Sequence, residues 1–89
     1  MKVKSGFALK KIAGSWVVLA LGERTLDFTG MLTLNETGRM LWDLLVEGST
    51  RPALAEALVS EYDIPIELAQ ADVNEFLDSL ISAGCLEAE

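Results

Sequence analysis

Apolar and polar residues alternate through the first third of the chain, and glycines interrupt the alternation. Phe7, Leu9 and Ile12 are spaced by small residues and lysines, which predicts a β-strand with one apolar face. Gly14–Ser15 then predicts a two-residue turn, and the apolar run Trp16–Leu21 predicts a second strand. We expect these two segments to form a hairpin.

An alternating pattern resumes after a second turn at residues 22–24. Its apolar positions are Leu26, Phe28, Leu32 and Leu34, and its polar positions are Asp27, Thr29 and Thr33. This pattern predicts a third strand, less regular than the first two, with its end near Gly30.

The spacing of apolar residues changes to that of amphipathic helices after residue 34. The first helix is expected to start at the capping residue Asn35 and to stop at Gly48, where a glycine suits a left-handed cap. The second is expected to start at Thr50 and to extend to about Glu61, with Pro52 in its first turn. Its buried face is predicted to contain Leu54, Leu58 and Tyr62.

The third helix is predicted to be the longest, opening at Pro65 and Ile66 and ending at Gly84. Its apolar stripe consists of Ala69, Val73, Phe76, Leu77, Leu80 and Ile81. Cys85–Leu86 is expected to fold back onto the core. The predicted fold is therefore α+β, with a three-stranded antiparallel sheet followed by a three-helix bundle in the order βββααα.

Length and composition predict one domain, residues 1–89, with frayed ends at about residues 1–4 and 87–89, because 89 residues suffice for a single core. A hydrophobic content of 51% exceeds what a disordered chain shows and predicts some apolar surface for a partner. The longest apolar run, Trp16–Leu21, is far shorter than the about 20 residues that span a membrane. With Cys85 as the single cysteine, these features predict a soluble cytoplasmic protein.

Charge is unevenly distributed along the chain. The net charge is −7, with an excess of positive charge in residues 1–24 and a strong excess of negative charge in residues 25–89. An acidic body repels phosphate backbones, so nucleic acid is a poor candidate partner, and no membrane partner is expected.

Few residues in the chain are suited to catalysis or metal binding. There is no histidine, and one cysteine cannot build a zinc or iron–sulfur site, so we expect no enzyme activity, no metal and no cofactor. Asp72 and Glu75 share a helix face, and a solvated face is the favoured interpretation of this pair. Cys85 is interpreted as a buried apolar residue, and Trp16 and Trp42 as packing residues.

Two groups of motifs resemble those of the PqqD family, and the resemblance covers about residues 5–87. The first group is Leu34-Asn35-Glu36-Thr37-Gly38, then Leu41-Trp42, Leu44-Leu45 and Glu47-Gly48-Ser49-Thr50. The second is Leu58 to Tyr62, then Asp72-Val73, Phe76-Leu77, Leu80 and Gly84-Cys85-Leu86. The resemblance implies a winged-helix-like domain that recognises leader peptides of ribosomally made precursors.

The resemblance also implies a mechanism and a set of binding residues. In such domains the leader pairs as an added antiparallel strand with the third strand, and its side chains enter a groove against the third helix. The domain would then be a non-catalytic adaptor that presents the precursor to a modifying enzyme, such as a radical SAM or cyclisation enzyme. The peptide-binding residues implied are Leu26, Asp27, Phe28, Thr29, Gly30, Ala69, Asp72, Val73, Phe76, Leu77 and Leu80.

Two alternatives remain open at this point. Three helices and a hairpin also describe a winged-helix DNA-binding regulator, although the candidate reading helices are acidic. An exposed sheet edge also suits a structural dimerisation module, in which two copies of the chain form a homodimer.

Overall fold

A computed structural model of the chain describes residues 1–22 and 32–87. These residues form five strands and three helices. In chain order they are β1 (Lys2–Val3), β2 (Phe7–Ile12), β3 (Ser15–Ala20), β4 (Leu32–Leu34), α1 (Glu36–Glu47), α2 (Arg51–Tyr62), α3 (Ile66–Ala83) and β5 (Leu86–Glu87).

Strands β2, β3 and β4 form one antiparallel sheet in that order. The hairpin predicted between β2 and β3 is confirmed, but its turn lies one residue earlier than expected. Ile12 pairs with Ser15, so the turn residues are Ala13 and Gly14, which have φ of 51° and 84°. Two positive φ angles in succession are the mark of the tight turn whose twist matches the strands that it joins.

Strand β4, the third strand of the sheet, spans Leu32–Leu34 and lies beyond the end that was expected near Gly30. Leu32 pairs with Val18 and Leu34 with Trp16, so this part of the alternating pattern is correctly assigned to a strand. The earlier part, including Leu26 to Gly30, lies outside the described residues.

All three predicted helices are present, and their ends, apart from the end of α2, agree with the signals in the sequence. The Asn35 side chain accepts a hydrogen bond from the Gly38 N–H at 2.8 Å, and Thr50 accepts one from the Ala53 N–H at 3.2 Å. Gly48 ends α1, and Gly84 ends α3 in the left-handed conformation. Helix α2 ends at Asp63, which adopts a left-handed conformation without being glycine, and the sequence did not mark this cap.

One face of the sheet and one face of each helix meet in a single apolar core. The core residues are Val18, Leu34, Leu41, Trp42, Leu45, Leu54, Ala55, Leu58, Ala69, Val73, Leu77, Leu80, Cys85 and Leu86. Two members of the predicted stripes do not join it, because Tyr62 and Ile81 are 43% and 42% exposed at the ends of their helices. Cys85 and Leu86 fold back onto the core as predicted.

The two ends of the described chain are joined by a second, two-stranded sheet. Lys2 pairs with Glu87 and Val3 with Leu86, and the Lys4 N–H donates to the Cys85 carbonyl at 2.9 Å. The Ser49 N–H donates to the Met1 carbonyl at 2.9 Å. Residues 1–4, which we expected to be frayed, thus have backbone groups that pair with the C-terminal strand and with the loop between α1 and α2.

The order of three sheet strands followed by three helices confirms the predicted α+β class. Within residues 1–22 and 32–87, no helix combines the length and the apolar character that crossing a bilayer requires.

Candidate functional site

Strand β4 lies at one edge of the three-stranded sheet, and no described strand lies beyond it. The direction of its backbone groups follows from the hairpin. The residues on either side of a two-residue turn, here Ile12 and Ser15, form a hydrogen-bonded pair, and such pairs alternate along antiparallel strands. The bond from the Leu21 N–H to the Gly6 carbonyl, at 2.7 Å, fits this alternation.

The same alternation extends across β3 to β4. Val17 directs its N–H and C=O towards β2, so Trp16 and Val18 direct theirs towards β4. Thr33 lies opposite Val17, in a pair that does not exchange hydrogen bonds. The backbone N–H and C=O of Thr33 therefore face away from the sheet, where an additional strand would pair.

An open groove of about 450 Å³ lies beside this edge, between the start of α1 and helix α3. Strand β4 and the first turns of α1 form one wall, and α3 forms the other. The described residues that line it are Thr33, Leu34, Asn35, Thr37, Gly38, Leu41, Asp72, Glu75, Phe76 and Ser79.

The floor of the groove is apolar and closely packed. Leu34 and Leu41 are buried, and the half-buried ring of Phe76 packs against the core beside them. Gly38 lets α1 approach this floor, because a methyl group at position 38 would lie 3.2 Å from both Leu34 Cβ and Phe76 Cε1. An apolar side chain that enters the groove would meet the Phe76 ring.

The α3 wall is acidic. Asp72 and Glu75 are exposed and line the groove one helical turn apart. Across the described residues, no Lys or Arg side chain forms an ion pair with either carboxylate. The groove thus combines an apolar floor, a negatively charged wall and a strand edge.

Trp16 is held next to the groove by charged residues that flank it. Its Nε1–H donates to Glu36 Oε1 at 3.0 Å, and Arg39 Cζ lies 4.7 Å from the ring centroid. Lys11 Nζ lies 5.4 Å from the same centroid. These contacts fix Trp16 beside Leu34, its partner on β4, and they join the sheet to the first turn of α1.

The structure places the site residues predicted on α3 in two groups. Asp72 and Phe76 line the groove. The other four are buried in the core and have essentially no exposed surface, namely Ala69, Val73, Leu77 and Leu80. The five predicted on the third strand, Leu26, Asp27, Phe28, Thr29 and Gly30, lie outside the described residues.

The sequence prediction missed the α1 side of the groove. Asn35, Thr37, Gly38 and Leu41 line it, together with Thr33 on β4. Asn35 was assigned to capping alone. The signal that could have located this side of the groove is that the cap of α1 directly follows the edge strand, which places the first turn of α1 beside the edge. The 3.6-residue spacing of apolar residues in α3 does not distinguish residues that line the groove from residues that are buried in the core.

Cys85 shows no feature of a reactive group. It is fully buried, and this desolvation raises the pKa of its thiol, an effect that the nearby Lys4 charge opposes in part. Among the described residues, no three histidine, cysteine or acidic side chains are grouped so that they could hold a metal ion.

Comparisons with known proteins agree with this geometry. TbiB1, solved in complex with the TbiA(beta) leader peptide, has a TM-score of 0.79 and 25% identity, over 100% of this chain and 98% of that one. A lasso peptide synthetase B1, solved in complex with the leader peptide, has the same fold, with a TM-score of 0.74 and 21% identity over 94% and 93% of the two chains. Among functionally curated proteins, none matches the chain. The sequence profile of the family described as coenzyme PQQ synthesis protein D matches residues 15–86. The chain belongs to the PqqD family.

Proposed function

We propose that this protein captures the leader segment of a ribosomally made precursor peptide as an additional strand on β4 and presents that precursor to a separate modifying enzyme. The observation that carries the proposal is the position of the groove. It lies directly beside a sheet edge whose central residue, Thr33, directs its backbone groups outwards. An extended peptide would pair with the edge and place alternate side chains in the groove.

The two parts of the site would contribute differently to binding. Each hydrogen bond between the leader and the edge contributes about 0.5–1.5 kcal/mol net and does not depend on the leader sequence. Selection among leaders would come from the groove, where the Phe76 ring and the acidic wall meet the leader side chains. Affinity would thus depend on backbone pairing, and specificity on α3 and the first turn of α1.

The two similar structures support this proposal, since both contain a leader peptide. The charge of α3 argues against the alternative of a DNA-binding regulator. Helix α3 has four acidic residues and no basic residue over Ile66–Ala83, so it would be repelled by a phosphate backbone.

The proposed role is that of an adaptor without chemistry of its own, acting in the cytoplasm where precursor peptides are made. Support comes from the composition of the groove. Its two carboxylates are exposed and one helical turn apart, and the described residues that line it contribute no thiol, imidazole or amine. The reaction would belong to the partner enzyme, for which a radical SAM or cyclisation enzyme is the proposed class.

Isothermal titration of the protein with synthetic leaders, taken from precursor genes next to its own gene, tests the proposal. We expect one leader to bind with one-to-one stoichiometry, while a shuffled peptide of the same composition does not. Phe76→Ala should weaken binding about tenfold or more, because it removes the apolar floor. The matched control is Ile81→Ala, which removes an exposed apolar side chain from the same helix outside the groove.

Two results would contradict the proposal. The first is a folded protein, verified by circular dichroism, that binds none of the leaders. The second is a concentration-dependent dimer in light scattering that leaders do not dissociate, because a second copy of the chain would then occupy the edge.

A further inference from the structure

We propose that the bound segment of the leader contains a lysine or arginine two residues from an apolar residue, so that the cation faces Asp72 and Glu75 while the apolar side chain covers Phe76. This inference rests on the proposed function and adds the chemical class of the ligand. It follows from the charge and the spacing of the groove residues.

The groove has negative charge that the described part of the chain does not neutralise. Among the residues that the structure describes, Asp72 and Glu75 are its charged lining residues, and no lysine or arginine lines it. The described arginines of the neighbouring helices α1 and α2 have other contacts. Arg39 lies over the Trp16 ring and 3.7 Å from Asp43, and Arg51 donates to Asn74 at 2.7 Å.

Two adjacent carboxylates of like charge favour a cation between or above them. Residues three apart on a helix lie side by side on its surface, so the charges of Asp72 and Glu75 add at the groove. An anionic leader side chain at this place would be repelled, whereas a cationic one would be attracted and partly shielded from water by the bound strand.

The spacing along α3 matches the repeat of an extended peptide. Asp72 and Phe76 are four residues apart in α3, which corresponds to about 6 Å along the helix axis. Alternate residues of a β-strand lie about 6.6–6.8 Å apart and point to the same side. A leader strand along the groove therefore brings residue i over Phe76 and residue i+2 or i−2 to Asp72, with the Glu75 carboxylate on the same wall between the two positions.

Selection from a library of short random peptides displayed on phage, with the full-length protein as the target, tests the inference independently of any particular precursor. Selected peptides are then synthesised, and their affinities are measured by fluorescence anisotropy. The variant Asp72→Asn/Glu75→Gln removes the groove charges. The matched control Glu67→Gln/Asp78→Asn removes the same charge from exposed positions on α3 that do not line the groove.

We expect selected peptides to share an apolar residue and a Lys or Arg two positions apart. Their affinity should fall about threefold to tenfold with Asp72→Asn/Glu75→Gln and change less than about twofold with the control variant. Salt should weaken binding to the wild-type protein, and this dependence should be smaller for the groove variant.

The outcomes separate the inference from the proposed function. The inference is wrong if the selected peptides lack basic residues and bind both charge variants equally. If these peptides also lose binding with Phe76→Ala, they occupy the same site, and peptide capture remains intact. If no peptide is enriched and no leader binds in titration, both fail together.

Discussion

Gly38 in the first turn of α1 lies directly against Phe76 of α3, so closely that a Cβ atom at position 38 would be 3.2 Å from the ring atom Cε1. The same Cβ would be 3.2 Å from Leu34 Cβ and 3.3 Å from Asn35 Oδ1. Glycine is a poor helix former, so its presence inside α1 is explained by space rather than by helix propensity. This contact sets the position of the Phe76 ring at the floor of the groove.

Gly38→Ala is therefore expected to destabilise the protein, although alanine favours the helix. Helix propensity would add about 0.5–1 kcal/mol of stability, whereas overpacking costs about 1–3 kcal/mol. We expect a net loss of about 1 kcal/mol in urea unfolding followed by tryptophan fluorescence, together with weaker leader binding because the Phe76 ring is displaced.

The double variant Gly38→Ala/Phe76→Leu is the test of the cause. A leucine has no ring atom at the Cε1 position, so it removes one of the two closest contacts, and part of the lost stability should return. A Gly38→Ala protein that is more stable than wild type would show that α1 has room for the methyl group and that Gly38 does not position Phe76.

Ala13 is expected to limit the stability of the β2–β3 hairpin. It has φ of 51°, a left-handed conformation that costs a non-glycine residue about 1–2 kcal/mol. Ala13→Asn should stabilise the protein by about 0.5–1 kcal/mol in thermal or urea unfolding, because asparagine tolerates this conformation in the first position of such turns. Gly14→Ala, at φ of 84°, is the opposite control and should destabilise it. No gain with asparagine would contradict the assigned turn.

The helices were predictable from sequence because their signals are local. Asn35 and Thr50 cap the helices that they precede, and Gly48 and Gly84 end two of them. Hydrophobic spacing likewise identified the core side of each helix. At helix ends this spacing no longer predicts burial. Tyr62 keeps the apolar spacing of α2 but is exposed, because the helix extends beyond the core that it packs against.

The site was less predictable because it depends on which elements meet. Nothing in the sequence around Gly38 indicates that Phe76, 38 positions later, lies against it. The apolar stripe of α3 is one pattern, although Phe76 lines the groove while Val73 and Leu77 are buried in the core. The turn was misplaced by one residue because Gly14 suits either position of a two-residue loop, and the strand register decides between them.

Cys85 is expected to make stability depend on alkaline pH. Burial raises the pKa of its thiol above the ordinary value of 9.0, with Lys4 acting in the opposite direction. Well below pH 9 the thiol is protonated in both folded and unfolded chains. Above that pH the unfolded chain releases the proton while the folded chain retains it, so the free energy of unfolding should fall as pH rises through the folded-state pKa.

The variant Cys85→Ala isolates this contribution, since other groups also titrate in this range. At pH 7 it should be about 1 kcal/mol less stable than wild type, because it leaves a small cavity in the core. The difference between the two proteins should shrink from pH 9 upwards in urea unfolding. A constant difference across this range would show that the thiol titrates alike in both states.

Thr33→Pro is expected to weaken strand addition while the protein remains folded. Proline lacks the N–H, and the Thr33 N–H faces away from β3, so no bond within the sheet is lost and the change should cost about 1 kcal/mol of stability or less. The leader would lose a backbone partner and meet the proline ring, so its affinity should fall at least about fivefold to tenfold in titration calorimetry.

Thr33→Ala is the matched control. It retains the N–H and should bind almost as wild type does, which separates the effect of the backbone from that of the side chain. Equal binding by the proline variant would mean that the leader does not pair with β4 at Thr33, whereas an unfolded variant would mean that the Thr33 N–H faces β3.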